Sequence, residues 1–303
     1  MSRFVVSFAD LWIGRWARPD AEALNAVEGL IPAVVVTGGS RGIGRALAHR
    51  FARAGRVVAI VARDEAALAA ASRDIAHAED AEVAEIVLDI TAPDAPAALD
   101  AALGARGLYT DVLVNNAGTG LAGPFEQQSS AEIEALIELN IAAATRLMAH
   151  ALPAMLKRGR GGVLNIASLG GMVPGPYQAA YYASKAYVIS LTEAVAHESR
   201  GKGVRISVVA PGPVETGFHR AMGAEGTPYR AWLPALSPQA VAASAYRGFV
   251  IGRTKIVPGI LPTLAALALK ILPNFVNVPL VGALLAKPSH LPNSREKASD
   301  AAR

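Results

Sequence analysis

Between residues 33 and 257 the sequence alternates short, continuously apolar, β-rich runs with longer helical stretches, and this alternation restricts the fold more than any other feature of the chain. The runs are 33–36, 57–61, 83–88, 112–114, 163–167, 204–209 and the short 256–257. Between them lie 43–54, with Ile43, Leu47, Phe51 and Ala54 on one face, then the Ala-rich 65–77, and 93–103. Ser129 and Glu132 form a capping-box pair that opens a helix running towards Lys157. Residues 177–200 form a further helix, and Ser237-Pro238 starts another that runs to about Gly248. A strand that is apolar on both sides needs cover on both faces, and parallel strands need crossovers long enough to hold a helix. The expected fold is therefore α/β, a doubly wound, mostly parallel sheet of six to seven strands with helices on both faces. Nothing between 31 and 258 marks a second domain, so the expected organisation is an N-terminal extension 1–30, one domain 31–258, and an apolar C-terminal extension with a basic tail, 259–303.

Composition removes several classes of function. With 29 Lys and Arg against 25 Asp and Glu, the formal charge is only +4, and no basic block appears. A nucleic-acid surface needs a concentrated basic stripe, so no such partner is expected. Cysteine is absent, which removes disulfides, thiolate nucleophiles and cysteine metal sites. His49, His77, His150, His197, His219 and His290 form no ligand-spaced pair, and no metal is expected. Apolar residues make up 52% of the chain and charged residues 18%, which favours a large packed core over disorder. Asp10 interrupts the apolar N-terminal run, no small-residue cleavage site follows it, and no stretch of 18 uninterrupted apolar residues occurs. A cytoplasmic protein is expected, with membrane association only through its tails.

Residues 37–44, TGGSRGIG, fall between the first run and the first helix. Glycines there permit a tight turn and let backbone N–H groups approach a pyrophosphate, with the helix N-terminus adding partial positive charge. The spacing is G-x-x-x-G-x-G rather than G-x-G-x-x-G, so this loop alone also fits a tight turn without a ligand. The second run bears on the choice of dinucleotide. An NAD site usually ends that strand with a carboxylate for the ribose 2′-hydroxyl. Here the end reads Val61-Ala62-Arg63. Arg63, with Arg41 from the loop, suits a 2′-phosphate, because guanidinium donors bind it through charge-assisted hydrogen bonds. Asp64 is read as the N-cap of the next helix rather than as the partner of Arg63. NADP(H) is the expected cofactor.

Tyr181 and Lys185 stand at i and i+4 of a helical stretch and share a face. A phenol with pKa near 10 is mostly protonated at pH 7. At an effective dielectric near 20, a charge about 4 Å away is worth roughly 4 kcal/mol, or about three pKa units. Lys185 is therefore expected to lower the pKa of Tyr181 towards the range where acid–base catalysis works. Tyr182 has Ala186 at i+4 and no lysine to serve it, and Tyr177 is read as a wall of the site. Ser168 follows the run 163–167, at the strand end where α/β sheets bind ligands. In isolation it fits equally the start of a Gly-rich loop. Asn115-Asn116-Ala117-Gly118 ends the fourth run, and Asn140 sits inside a helix, an unfavourable place for Asn.

In this order TGGSRGIG (37–44), Arg63, Asp89, NNAG (115–118), Asn140, Ser168, YYASK (181–185) and PGPVET (211–216) closely resemble the short-chain dehydrogenases/reductases over about 31–257. The resemblance implies a Rossmann-type fold and an oxidoreductase acting on CH–OH groups with NADP as acceptor. Tyr181 would be the acid/base and Ser168 would polarise the carbonyl. Lys185 would bond the nicotinamide ribose and lower the Tyr181 pKa, and Asn140 would hold a water linking Lys185 to solvent. Gly38, Ser40, Arg41, Gly42, Ile43 and Gly44 would cradle the phosphates. Asp89 would meet the adenine, and Asn116, Ala117 and Gly118 would line the adenosine-ribose side. Pro211, Gly212, Val214 and Thr216 would shape the nicotinamide end. Assembly as a homodimer or homotetramer through the 132–157 and 177–200 helices is implied as well.

Residues 213–236, with Phe218, Met222, Tyr229 and Trp232, are read as a substrate lid, and their apolar character suggests a hydrophobic substrate. Phe4, Phe8, Trp12 and Trp16 recur every four residues with Arg3, Arg15 and Arg18 nearby. They suit an interfacial amphipathic helix or, the favoured reading, a helix docked on its own domain or a partner subunit. Residues 256–286 carry one charge, Lys270, and Pro262, Pro273 and Pro279 are expected to cut them into helices of about six to eleven residues. Membrane contact, a wall of a lipophilic substrate site and an oligomer contact stand nearly level for this segment. The expected activity is hydride transfer between NADP(H) and a hydrophobic ketone, steroid-like or 3-oxoacyl substrate. The alternative is a catalytically silent NADP(H)-binding sensor or scaffold attached to a partner or membrane.

Overall fold

The computed structural model describes residues 12–224 and 234–286. Among them, seven strands form one sheet: β1 Ile31–Thr37, β2 Val57–Ala62, β3 Val83–Val87, β4 Leu108–Asn115, β5 Gly161–Ile166, β6 Val204–Val209 and β7 Lys255–Ile256. Their order is β3-β2-β1-β4-β5-β6-β7, and every neighbouring pair is parallel. The expectation of a mostly parallel sheet thus resolves into an entirely parallel one.

The helices are α1 Ala21–Asn25, α2 Gly42–Ala52, α3 Glu65–Glu79, α4 Ala95–Gly104, α5 Ser130–Ile137, α6 Ala144–Arg158, α7 Ala179–Glu198, α8 Phe218–Ala221, α9 Pro238–Val250, α10 Ile260–Ile271 and α11 Asn274–Leu285. Side chains alternate across each strand, and both sets are apolar. Val34, Val36, Val58, Ile60 and Val114 join Leu47 and Phe51 of α2, Leu68 and Ile75 of α3, and Phe249 of α9. Ala33, Val35, Ala59, Val61 and Leu113 join Leu99 and Leu103 of α4 and Leu147 and Met155 of α6 in a second cluster. This two-sided burial is why the strands read as continuous apolar runs. The chain winds outward from β1 to β3, then returns to β4 on the other side of β1. The carboxyl ends of β1 and β4 therefore diverge and leave a crevice.

Three sequence expectations need correction. β4 begins at Leu108, well before the apolar run at 112, because a buried ion pair admits a charged residue mid-strand: Arg56 Nη2 lies 2.5 Å from Asp111 Oδ2. The helix opened by Ser129 has its full capping box, but a wide π-helical turn, Glu138–Ala143, separates α5 from α6. The C-terminal prolines do not cut the chain into short pieces, since α10 and α11 have 12 residues each. Pro262 lies in the first turn of α10, where a missing N–H costs nothing, and Pro273 precedes the first residue of α11.

The chain from Trp12 onward docks on the domain: Trp16 N donates to Gly201 O at 2.8 Å and Gly203 N to Ile13 O at 2.9 Å. Arg15 stacks on the rings of Trp12 and Trp16. Arg3, Phe4, Phe8, Tyr229, Trp232 and the tail 287–303 lie outside the described residues.

Candidate active site

Above the carboxyl ends of the strands a cleft of about 1970 Å³ runs from Arg63 and Asp89, past the glycine loop, to Ser168, Tyr181 and Lys185. Ser40, Arg41, Ile43, Ala117, Gly118, Pro211, Gly212, Val214 and Thr216 also line it. Among the residues expected from sequence, Gly44 and Asn140 are not part of its wall.

The glycine loop owes its shape to missing side chains. Gly38 and Gly42 have φ of 63° and 57°, the left-handed region where a Cβ is costly. A Cβ on Gly44 would stand 2.3 Å from Gly38 O and 2.4 Å from Asn116 Nδ2. Gly44 therefore lets α2 start against the loop rather than touching a ligand. Arg41, the N-cap of α2, makes no side-chain cap hydrogen bond. The first N–H groups of the helix thus have no side-chain partner at the cap.

Thr37 ties β1 to β4 beneath this loop. Its hydroxyl donates to Val114 O at 3.2 Å and accepts from Asn116 N at 3.0 Å and Ala117 N at 3.1 Å. The Asn116 carboxamide donates to Thr37 O at 2.9 Å and Gly38 O at 3.2 Å. The sequence reading missed Thr37, because a single polar residue ending an apolar run carries no signal of its own.

At the far end of β2, Arg63 Nη1 lies 3.6 Å from Asp89 Oδ2, with the arginine side chain 74% exposed. Asp89 accepts from Thr91 N at 3.0 Å and Thr91 Oγ1 at 2.7 Å. These bonds, and after them the Arg63 charge, hold its carboxyl below the usual range. Asp64 accepts from Ala67 N at 3.0 Å and caps α3, as its position in the sequence suggests.

The reacting side chains are buried. Tyr181 is 8% and Lys185 6% exposed. Burial pushes the Tyr181 phenol up to about 12, with the Ser168 hydroxyl pulling the other way. Burial brings the Lys185 ammonium down to about 8. Lys185 Nζ donates to Ile166 O at 3.1 Å and lies 5.9 Å from the centroid of the Tyr181 ring. The expected lowering of the Tyr181 pKa by Lys185 is thus corrected: the ammonium is aimed at a carbonyl, and desolvation of the phenolate dominates. Burial therefore favours the neutral phenol, beside a lysine that holds its proton less tightly than a free ammonium does.

Asn140, 2% exposed, sits behind the wall. Its Oδ1 accepts from Thr119 N at 2.9 Å, and its Nδ2 donates to Thr119 O at 2.8 Å and Ser184 Oγ at 3.1 Å. Both amide hydrogens are spent on the protein. These bonds clamp the 118–119 loop to the helix that carries Asn140. The wide turn carries Asn140 inward to make them. A Cβ on Gly118 would lie 3.0 Å from Asn140 Oδ1 and 3.4 Å from Lys185 Nζ, a tight fit that a larger residue could take only if these side chains gave way.

Much of the wall beside the reacting end is apolar. Phe218 stacks at 5.6 Å from Tyr181, and Met222 is buried over Gly120. Ala268 of α10, Leu272 just after it, and Val281 and Leu285 of α11 close one side. Of the three readings for the C-terminal segment, this observation favours the cleft wall. The same helices leave Ile260, Leu264, Leu267, Ile271 and Phe275 exposed. Among the described residues no helix is long and apolar enough to cross a membrane.

A family model described as short chain dehydrogenase matches residues 32–226. A ketoacyl reductase of Nostoc sp. is 38% identical over 186 residues, which make up 61% of this chain and 64% of that protein. A very-long-chain 3-oxoacyl-CoA reductase of Bos taurus is 32% identical over 209 residues, 68% of this chain and 61% of that protein. The match therefore spans somewhat less than two thirds of either relative. A solved short-chain dehydrogenase from Sphingobium yanoikuyae, in complex with NADPH, superposes with a TM-score of 0.69 at 32% identity, covering 78% of this chain and 92% of that one.

Proposed function

Because this chain belongs to the short-chain dehydrogenase/reductase family, a family of nicotinamide-dependent oxidoreductases, we propose that it moves a hydride between NADP(H) and a hydrophobic carbonyl or alcohol. The observation that carries the reading is the convergence of Ser168, Tyr181 and Lys185 at one end of a cleft whose other end holds the glycine loop with Arg41 and Arg63. The residues fit a dinucleotide. Gly38 and Gly42 have positive φ, no side chain caps the N-terminus of α2, and no carboxylate ends β2. Gly38, Ser40, Gly42 and Ile43 would hold the phosphates, Arg41 and Arg63 the 2′-phosphate, and Asp89 the adenine. Asn116, Ala117 and Gly118 would flank the adenosine ribose. Pro211, Gly212, Val214 and Thr216 would shape the nicotinamide end, and Lys185 would bond the nicotinamide ribose. When bound, the cofactor supplies or accepts the hydride.

The protein's part is protonic and positional. Tyr181, neutral over the physiological range, gives its proton to the substrate oxygen during reduction. The Ser168 hydroxyl donates to the same oxygen and orients the carbonyl. The buried surroundings strengthen both interactions by excluding water. Ketone, steroid-like and 3-oxoacyl substrates all fit the apolar wall from α10 and α11. The printed activities of the Nostoc and bovine relatives favour the last of these. The exposed apolar residues of α10 and α11 are where peripheral membrane contact would form. A homo-oligomer would form through α5–α6 and α7, a reading supported by the exposed Ile137 and Tyr187.

The test is NADPH oxidation, with NADH in parallel, against carbonyls of increasing chain length, with Tyr181→Phe as control. Turnover that prefers NADPH, rises with chain length and vanishes in the variant is expected. Tight NADPH binding without turnover of any carbonyl would transfer the assignment to a silent sensor, and preference for NADH would overturn the arginine argument.

A further inference from the structure

The β7 edge of the sheet carries a hollow that shares no lining residue with the cleft. Its volume is about 500 Å³, and Ser244, Arg247, Ile251, Arg253, Lys255 and Thr263 line it. Lys255 Nζ lies 2.7 Å from Glu193 Oε1, which balances its charge. Arg247 and Arg253 are exposed, and neither has an ion-pair partner among the described residues. The hollow therefore presents two uncompensated guanidinium groups beside two hydroxyls, a donor set suited to phosphate oxygens.

Thr263 sets this hollow beside an apolar ridge. At about 100° per residue, Ile260, Leu264, Leu267 and Ile271 fall within about 60° of one another on α10, and all four are exposed. Thr263 lies on one flank of the ridge, facing the hollow, and Ala265 and Ala268 lie on the other, facing the cleft. The ridge side chains are hydrocarbon only. The Thr263 hydroxyl donates to Gly259 O at 2.6 Å, and Asn277 is buried and donates to Leu272 O at 3.1 Å. A folded protein partner forms about one hydrogen bond per 100–200 Å² of interface, which this ridge cannot supply. Acyl chains ask for none, and anionic headgroups match the cations on its flank. The N-terminal segment extends the same side. A Cβ on Gly252, between Ile251 and Arg253, would stand 2.9 Å from Ile13 Cδ1. Beside Ile13, Trp12 and Trp16 are exposed with Arg15 stacked on both rings. Tryptophan is the side chain most at home at the headgroup boundary.

We infer that the hollow between α9, β7 and α10 receives the phosphate of an anionic phospholipid, so that the β7 edge docks on an anionic bilayer with the α10 ridge among its acyl chains. The cleft then opens on the far flank of α10, one helix away from the lipid. The inference rests on the membrane contact proposed above and names its lipid class and headgroup site.

The test is flotation of the full chain with phosphatidylcholine vesicles, with and without phosphatidylglycerol. It compares wild type, the pair Arg247→Gln and Arg253→Gln, and the pair Leu264→Ser and Leu267→Ser. All four positions are exposed and outside the cleft wall, so thermal unfolding is expected to match wild type. Wild type is expected to bind the mixed vesicles about tenfold more tightly than the neutral ones. The arginine pair is expected to lose that preference and the leucine pair to lose binding to both. Wild type that binds both vesicles equally, or an arginine pair that binds as wild type does, overturns the headgroup site with membrane contact intact. A leucine pair that keeps its binding places the ridge outside the acyl chains and overturns the docking. Wild type that binds neither vesicle removes the membrane contact and this inference together, and leaves the reductase reading, whose assay needs no lipid. Self-association abolished in the leucine pair, without vesicle binding, would give the ridge to a second copy and overturn the inference.

Discussion

Replacing Lys185 by methionine tests the burial argument without any substrate. The ammonium is enclosed and its pKa falls from 10.5 to about 8 through desolvation. The native state therefore gives up this proton before the unfolded chain does. Between about pH 8 and 10.5 the unfolded state binds more protons, so stability rises with pH across that window. Below pH 8 the penalty for the buried charge is present in full. One pKa unit is worth about 1.4 kcal/mol, so from pH 7 to 10 relief of this penalty stabilises the wild type by roughly 2–3 kcal/mol. Methionine keeps the length and bulk of the side chain and does not titrate. Urea unfolding of both proteins at pH 7, 8, 9 and 10, without nucleotide, is expected to show their stability difference moving by roughly 2–3 kcal/mol towards the wild type. Taking the difference cancels the other titrating groups. Tyr181, which keeps its proton to about 12, acts only above about pH 10 and with opposite sign, because there the native state retains the proton longer. A difference independent of pH would refute the desolvation of Lys185. A difference moving towards the Lys185→Met variant with rising pH would show that a negative partner holds the charge.

Gly44→Ala places a Cβ 2.3 Å from Gly38 O; a loss of NADPH affinity above tenfold and about 1–3 kcal/mol of stability are expected, and fluorescence titration with unchanged affinity would contradict the close-approach argument. Arg63→Ala and Arg41→Ala are each expected to weaken NADPH binding about tenfold while leaving NADH within twofold. Calorimetry showing equal losses for both cofactors would remove the 2′-phosphate assignment. Asn140→Ala leaves Thr119 N, Thr119 O and Ser184 Oγ without their partner. It is expected to cost about 2–4 kcal/mol in thermal unfolding, and a melting temperature unchanged from wild type would show that the clamp carries no load.

The legible part of this protein is the part whose chemistry is local. Strands β1, β2, β5 and β6 announce themselves because both of their faces are apolar, and α5 because its capping box is a four-residue device. The glycine loop and the Tyr181–Lys185 pair are legible for the same reason, since spacing along one turn or one helix sets their geometry. The start of β4 was hidden because the partner of Asp111 is Arg56, 55 residues away.

By itself the sequence determined the α/β class, the glycine loop, the absence of a carboxylate at the end of β2, and which side chains share a helix face. Those properties follow from periods of two and 3.6 residues and from backbone freedom at glycine. Only the tertiary structure decided the protonation of Tyr181 and Lys185, because burial depends on every element packed around them. It also tied Asn140 to Thr119 and Ser184, made α10 and α11 a wall of the cleft, and left the Gln178 carboxamide nitrogen without a partner among the described residues. Each of these is a contact, or a missing contact, between groups distant along the chain, and desolvation and hydrogen-bond satisfaction exist only once the chain has closed around them.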